Sequence, residues 1–240
     1  LILYGGGVPA LYRNSGPPDF RFVDITDDVG LGQVTGHCVR AGDIDADGDV
    51  DLLLMNTETA TLHLMVFGDG GYVDESAKRL EVPRGPYRSA TFADWDNDGD
   101  PDLVLTRWLV ARSWADGMFG KPPIYAENDG GVFRWRRGVL DQATGIGVST
   151  LAFDSDDDGD LDVYVNNFGG ENLYYENDGN AVFTLTTSGA RLSNTDGSSG
   201  LAVADFNNDG LLDMYCAVMG AADVLFINNG DGTFAAKASE

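Results

Sequence analysis

Nine residues recur four times along this chain without a gap: DIDADGDVD at 43–51, DWDNDGDPD at 94–102, DSDDDGDLD at 154–162 and DFNNDGLLD at 205–213. Their starts lie 51, 60 and 51 residues apart. A period of that length belongs to arrays of supersecondary units, because one unit cannot bury its own apolar face and has to stack on the next. The flanks repeat as well. A short apolar run precedes the loop, as in Ser89–Ala93 and Leu201–Ala204, and a β-rich run follows it: Leu52–Met55, Leu103–Leu105, Val163–Val165 and Met214–Cys216. A third run then ends in a turn and leads to an aromatic fourth, clearest in IYAENDGGVF (124–133), LYYENDGNAVF (173–183) and LFINNGDGTF (225–234). Asn-Asp-Gly and Asp-Gly between apolar runs mark hairpins, since these residues tolerate positive φ.

Each repeat is therefore predicted to be four antiparallel strands, A to D, with the acidic loop between A and B, which is the unit of an all-β β-propeller blade. The expected divisions are an incomplete blade over 1–34 and full blades over 35–80, 81–140, 141–190 and 191–240. The opening segment supplies B-, C- and D-like strands at Leu1–Tyr4, Ala10–Asn14 and Phe20–Phe22, without an A strand or loop of its own. An unpaired sheet edge is a liability, so this count predicts part of a larger propeller of seven or eight blades. A closed five-bladed ring is the alternative.

The loops have the chemistry of a calcium site. Calcium takes six to eight oxygens, and alternate Asp or Asn side chains in a tight loop converge to supply them. Positions 1, 3, 5 and 9 offer side-chain oxygen: Asp43, Asp45, Asp47 and Asp51; Asp94, Asp96, Asp98 and Asp102; Asp154, Asp156, Asp158 and Asp162; Asp205, Asn207, Asp209 and Asp213. Position 7 offers a backbone carbonyl, from Asp49, Asp100, Asp160 or Leu211, once glycine at position 6 has allowed the turn. About four ions are expected, one per loop, with the fourth held more weakly because Asn207 removes one charge. An EF-hand would need Glu at position 12, where this chain has Leu54, Leu105, Val165 or Cys216. Zinc would call for His or Cys, and magnesium rarely uses an all-protein cage. Solvated acidic turns are a poor alternative, since two carboxylates about 5 Å apart repel by roughly 3 kcal/mol at an effective dielectric near 20. One loop per repeat points to a structural role for the metal.

The net charge of −24 is thus organised into loops, and it disfavours nucleic acid and anionic membrane surfaces as partners. Cys38 and Cys216 are too few for a disulfide framework and are expected to be buried thiols. No enzyme constellation emerges. His37, entering an A strand, and His63, within a C strand, lie near no nucleophile elbow or metal motif, and Gly5–Gly7 lacks the pattern of a phosphate loop. The second interval is nine residues longer than the others because of an insertion at 107–120, between strands B and C. Its Trp108, Arg112, Trp114 and Phe119 form either a partner-binding patch or a small satellite core folded back on itself.

D-x-D/N-x-D-G-x-x-D before an apolar strand, followed by L-Y-x-N-x-G-x-x-F, resembles the FG-GAP or VCBS repeats of integrin-α-like proteins. Residues 11–26, LYRNSGPPDFRFVDIT, are similar to the cartilage acidic protein branch. The resemblance implies a secreted or cell-surface calcium-binding propeller that acts as an adhesion, binding or scaffold module for protein or glycan. A calcium-dependent polysaccharide lyase is the alternative it leaves open. That reading asks for a His/Arg cluster at a channel mouth, and the nearest candidates are His37, Arg40 and Arg88.

Overall fold

The computed structural model describes residues 2–5, 8–108, 120–168, 170–186 and 198–238. Their secondary structure is almost entirely β. Three opening strands, β1 (Ile2–Gly5), β2 (Val8–Asn14) and β3 (Phe22–Asp24), pair antiparallel in chain order. A four-stranded meander follows: β4 (Cys38–Gly42), β5 (Asp51–Asn56), β6 (Thr61–Gly68) and β7 (Gly71–Asp74). The last two sheets have the same form. One comprises β13 (Gly147–Phe153), β14 (Asp162–Asn167), β15 (Leu173–Asn177) and β16 (Phe183–Thr186); the other comprises β17 (Ser198–Ala204), β18 (Asp213–Val218), β19 (Val224–Asn228) and β20 (Phe234–Ala238).

The middle sheet departs from four strands. β9 (Tyr87–Ala93), β10 (Asp102–Arg107), β11 (Ile124–Asn128) and β12 (Phe133–Trp135) form the expected meander, and β8 (Leu80–Glu81) adds a fifth strand, parallel to β12. β8 follows a one-turn helix, α1 (Ser76–Arg79). Neither short element has the periodicity that a sequence reading detects.

Second strands reveal how the sheets stack. Every residue of β5 and of β14 is buried, so both faces of these strands are covered. In β5, Leu53 and Met55 join a core with Leu103, Leu105 and Phe133, whereas Leu52 and Leu54 pack with Leu31 and Val34 on the other side. In β10, Val104 faces a different core, with Val163, Val165 and Tyr175. Tyr164 faces a fourth, with Met214, Cys216 and Phe226. Successive sheets therefore pack face to face in chain order, an apolar layer lies between each pair, and the first strands sit side by side: β4 beside β9, β9 beside β13, β13 beside β17. Each fully buried Leu or Val in these layers contributes about 1.5–3 kcal/mol of transfer free energy. Cys216 is buried and Cys38 half-buried, and no disulfide joins them.

Candidate metal loops

Each acidic loop joins a first strand to a second, and each closes on its own first aspartate. The N–H of position 5 (Asp47, Asp98, Asp158, Asp209) donates to Oδ1 of position 1 (Asp43, Asp94, Asp154, Asp205) at 3.2 Å in all four loops. The N–H of the position-6 glycine donates to the other oxygen of that carboxylate at 3.0–3.1 Å. The position-7 N–H of Asp49, Asp100, Asp160 or Leu211 then donates to Oδ1 of position 5 at 2.8–2.9 Å. Two residues per loop must take positive φ to make this curl. One is the glycine, at 92° to 97°; the other is position 4, where Ala46, Asn97, Asp157 and Asn208 sit at 57° to 63°. The second requirement escaped the sequence reading, although three of the four residues there are Asn or Asp, the side chains that best tolerate this region.

The curl gathers carboxylates. One oxygen each from Asp94, Asp96 and Asp98 lie within 4.8 Å of one another, as do those of Asp154, Asp156 and Asp158, and those of Asp43, Asp45 and Asp51. These sets fit a hard cation by a test independent of motif: Asp45 Oδ1 and Asp156 Oδ1 are buried and accept no hydrogen bond. A buried carboxylate oxygen without a donor is costly, and a coordinated cation removes that cost. Burial, reinforced by neighbouring loop aspartates, raises the carboxyl pKa values of Asp51, Asp96 and Asp156 above the usual carboxylate range. Calcium bound here would supply positive charge that holds all these groups ionised. In the fourth loop the Asn207 amide donates to Asp209 Oδ2 at 2.7 Å, leaving Asp205 and Asp209 as the acids at positions 1 and 5.

The ninth-position aspartates also accept hydrogen bonds from outside the curl of the loop. Asp102 is fully buried; its Oδ1 accepts from the N–H of Asn128 at 2.8 Å, and its Oδ2 from the Tyr125 hydroxyl at 2.7 Å and the N–H of Trp95 at 3.3 Å. Asp162 accepts from the N–H groups of Ser155 and Asn177 and from the Ser155 and Tyr174 hydroxyls. Asp213 accepts from the N–H groups of Phe206 and Asn228, and Asp51 from those of Ile44 and Phe67. These carboxylates pin each loop to the third strand of its own sheet, and only Asp51 also joins a converging triad. Burial pushes the Asp102 carboxyl up to about 7 and also raises that of Asp162. At position 7, the side chains of Asp100 and Asp160 accept from the Gly130 N–H and the Asn97 amide.

A second function carried by the repeat was not legible beforehand. In three of the sheets, the asparagine ending the third strand donates its amide to two loops at once. Asn128 bonds Pro101 O in its own loop and Ile44 O in the preceding one; Asn177 bonds Leu161 O and Trp95 O; Asn228 bonds Leu212 O and Ser155 O, all at 2.8–3.1 Å. The motif L-Y-x-N-x-G shows this asparagine, but its partners lie in a neighbouring repeat.

Of the expected partner-binding residues, Trp108 is half-buried, with its ring 6.1 Å from that of Phe168 and beneath the Arg88 guanidinium at 5.2 Å. Arg112, Trp114 and Phe119 lie outside the described residues. His63 Nδ1 pairs with Asp74 Oδ2 at 2.7 Å, and His37 Nε2 lies 3.7 Å from Glu58 Oε1. His37 and Arg40 line one cavity with Arg88, which lies on a different strand far along the chain.

The profile of the FG-GAP-like repeat family matches residues 43–105 and 154–216, more than half of the chain. Cartilage acidic protein 1 of Mus musculus is 26% identical over 194 residues, covering 73% of this chain and 30% of that protein. The Homo sapiens cartilage acidic protein 1 is 25% identical over 194 residues, covering 73% and 29%. The chain thus spans less than a third of the length of these relatives. Among solved structures, the V. cholerae biofilm matrix protein Bap1 aligns with a TM-score of 0.49 at 14% identity, over 91% of this chain and 30% of that one. The exotype rhamnogalacturonan lyase YesX aligns with a TM-score of 0.44 at 17% identity, over 82% and 39%.

Proposed function

The chain belongs to the FG-GAP-like repeat family, and from that premise we propose that it is a calcium-stabilised extracellular binding or scaffold module. Its sheets are blades of a β-propeller, and its four loops hold about four calcium ions, one each. The observation that carries this reading is the convergence of aspartate oxygens within 4.8 Å in three loops, around buried oxygens of Asp45 and Asp156 that have no donor. The role of the metal is structural: each loop is tied by Asp102 or its counterparts to the third strand, and by Asn128, Asn177 or Asn228 to the next loop, so an ion that orders one loop orders the contact between two sheets.

The location follows from affinity. Loops of this kind in extracellular modules work near 10⁻⁴ to 10⁻³ M calcium, a concentration met outside cells. The partner is a protein or a glycan. A charge of −24 sets nucleic acid aside, and no helix among the described residues is long and apolar enough to cross a membrane. We assign the chain no catalytic role. Isothermal titration of metal-free protein with calcium tests the proposal, and about four sites that magnesium does not fill is the expected result. Fewer than two sites, or equal filling by magnesium, would overturn it.

A further inference from the structure

The first strands carry the metal loops at one end and a cavity at the other. That cavity, of about 250 Å³, lies where β4, β9 and β13 begin, so three adjacent sheets contribute to it. His37, Arg40, Arg88, Ser89 and Ser149 are among its lining residues, and the lining includes no aspartate or glutamate. In a chain with 39 acidic and 15 basic residues, a concave site with that composition is an inversion of the surrounding charge.

Neither arginine there pairs with a carboxylate among the described residues. Arg40 is half-buried, and its guanidinium donates only to neutral acceptors: Ala90 O at 2.6 Å, Val39 O at 3.0 Å, Ser89 Oγ at 3.1 Å and Cys38 Sγ at 3.3 Å. Those bonds stitch β4 to β9 and hold the charge in place, yet none is to a carboxylate. Arg88 is exposed, makes no ion pair among the described residues, and has its guanidinium carbon over the Trp108 ring at 5.2 Å, a cation–π contact that restrains it. His37 has Glu58 at 3.7 Å, but that carboxylate is 82% exposed and stands outside the lining. A fixed, half-buried charge beside a second guanidinium that pairs with no carboxylate among the described residues suits a planar oxyanion with two oxygens.

We propose that this cavity binds the carboxylate of a small hydroxylated acid, one sugar-acid ring in size. Arg88 grips the carboxylate, Arg40 supplies the fixed field, and Thr57, Ser89 and Ser149 line the space where ring hydroxyls need partners. The proposal deepens the binding-module reading and rests on it, by naming one ligand class and its site.

D-Glucuronate titrated into calcium-loaded protein, followed by calorimetry and by tryptophan fluorescence, tests it. Saturable binding with a fluorescence change from Trp108 is expected, with none by D-glucose at equal concentration. Arg88→Gln, at an exposed position, is expected to leave the melting temperature unchanged and weaken glucuronate binding by about tenfold or more. Trp108→Phe keeps the binding and removes the optical signal. Binding of glucose as tight as that of glucuronate, or unchanged binding in Arg88→Gln, would overturn the proposal. N-acetyl-L-glutamate amide binding as tightly as glucuronate would overturn the sugar-acid assignment and point to an acidic peptide. If calcium raises the melting temperature but glucuronate does not bind, the anion site fails while the metal-loop reading stands.

Discussion

The side-chain amide of Asn177 donates to the backbone carbonyl of Trp95, 82 residues earlier in the chain, at 2.9 Å. The same nitrogen donates to Leu161 O at 3.1 Å. Trp95 is the second residue of one acidic loop and Leu161 the eighth of the next, so a single amide fixes the spacing between two candidate metal sites. Asn128 and Asn228 repeat the arrangement.

Asn177→Asp keeps the shape of the side chain and replaces its donor with an acceptor facing two carbonyls. Buried groups left without partners cost about 1–3 kcal/mol each, so the variant is expected to lose about 2–4 kcal/mol of stability in urea unfolding. A loss below about 0.5 kcal/mol would show that the clamp does not hold the sheets together.

Ala46 carries the left-handed φ of 57° that Asn97, Asp157 and Asn208 carry in the other loops. An L-residue with a bare Cβ is strained there, whereas Asn relieves part of that strain by local hydrogen bonding. Ala46→Asn is expected to raise stability by about 0.5–1 kcal/mol, read as a higher melting temperature. Destabilisation would show that the strain at position 4 is not what limits this loop.

Without calcium, stability should depend on pH in an unusual direction. Burial pushes the Asp102 carboxyl up to about 7 from 3.8, and also raises Asp51, Asp96, Asp156 and Asp162. A raised carboxyl binds its proton more tightly in the folded chain, so its stabilisation is complete below the unfolded value near 3.8 and is lost as pH rises through about 7. Asp74 and Asp209 are shifted down and work the other way. The metal-free protein is expected to melt lower at pH 7.5 than at pH 5.5, and saturating calcium to reverse that order by favouring the ionised carboxylates. The same pH order with and without calcium would contradict this account.

Asn207→Asp gives the fourth loop carboxylates at positions 1, 3, 5 and 9, as in the other three. With an acid at position 3, as in the other three loops, the variant is expected to tighten calcium at that site and to lower stability in EDTA, because the bond from the Asn207 amide to Asp209 at 2.7 Å gives way to a like-charge contact. Calorimetric titration beside the parent chain checks both directions.

The four-stranded repeat and the place of each loop between first and second strands were legible because apolar runs, turn residues and period agreed. The fifth strand Leu80–Glu81 was not, since two residues pairing parallel with Phe133–Arg134 leave no pattern of their own. The loop carboxylates were legible as a set. Their division was not: which aspartates converge and which turn inward depends on third-strand N–H groups and tyrosine hydroxyls, such as Tyr125 on Asp102, that lie far along the sequence. The clustering of His37, Arg40 and Arg88 was anticipated as a possibility, but its cause, the side-by-side packing of β4, β9 and β13, is tertiary.

Thermal unfolding in excess EDTA, then in saturating calcium and in magnesium, tests the central claim most directly. At calcium about 100-fold above Kd each occupied site adds about 2.7 kcal/mol, and in a domain of this size each kcal/mol moves Tm by about 2–4 °C. Four structural sites therefore predict a rise of more than about 20 °C with calcium and little with magnesium. A midpoint that calcium leaves unchanged would contradict the account, because nothing would then offset the repulsion of the aspartates gathered in each loop.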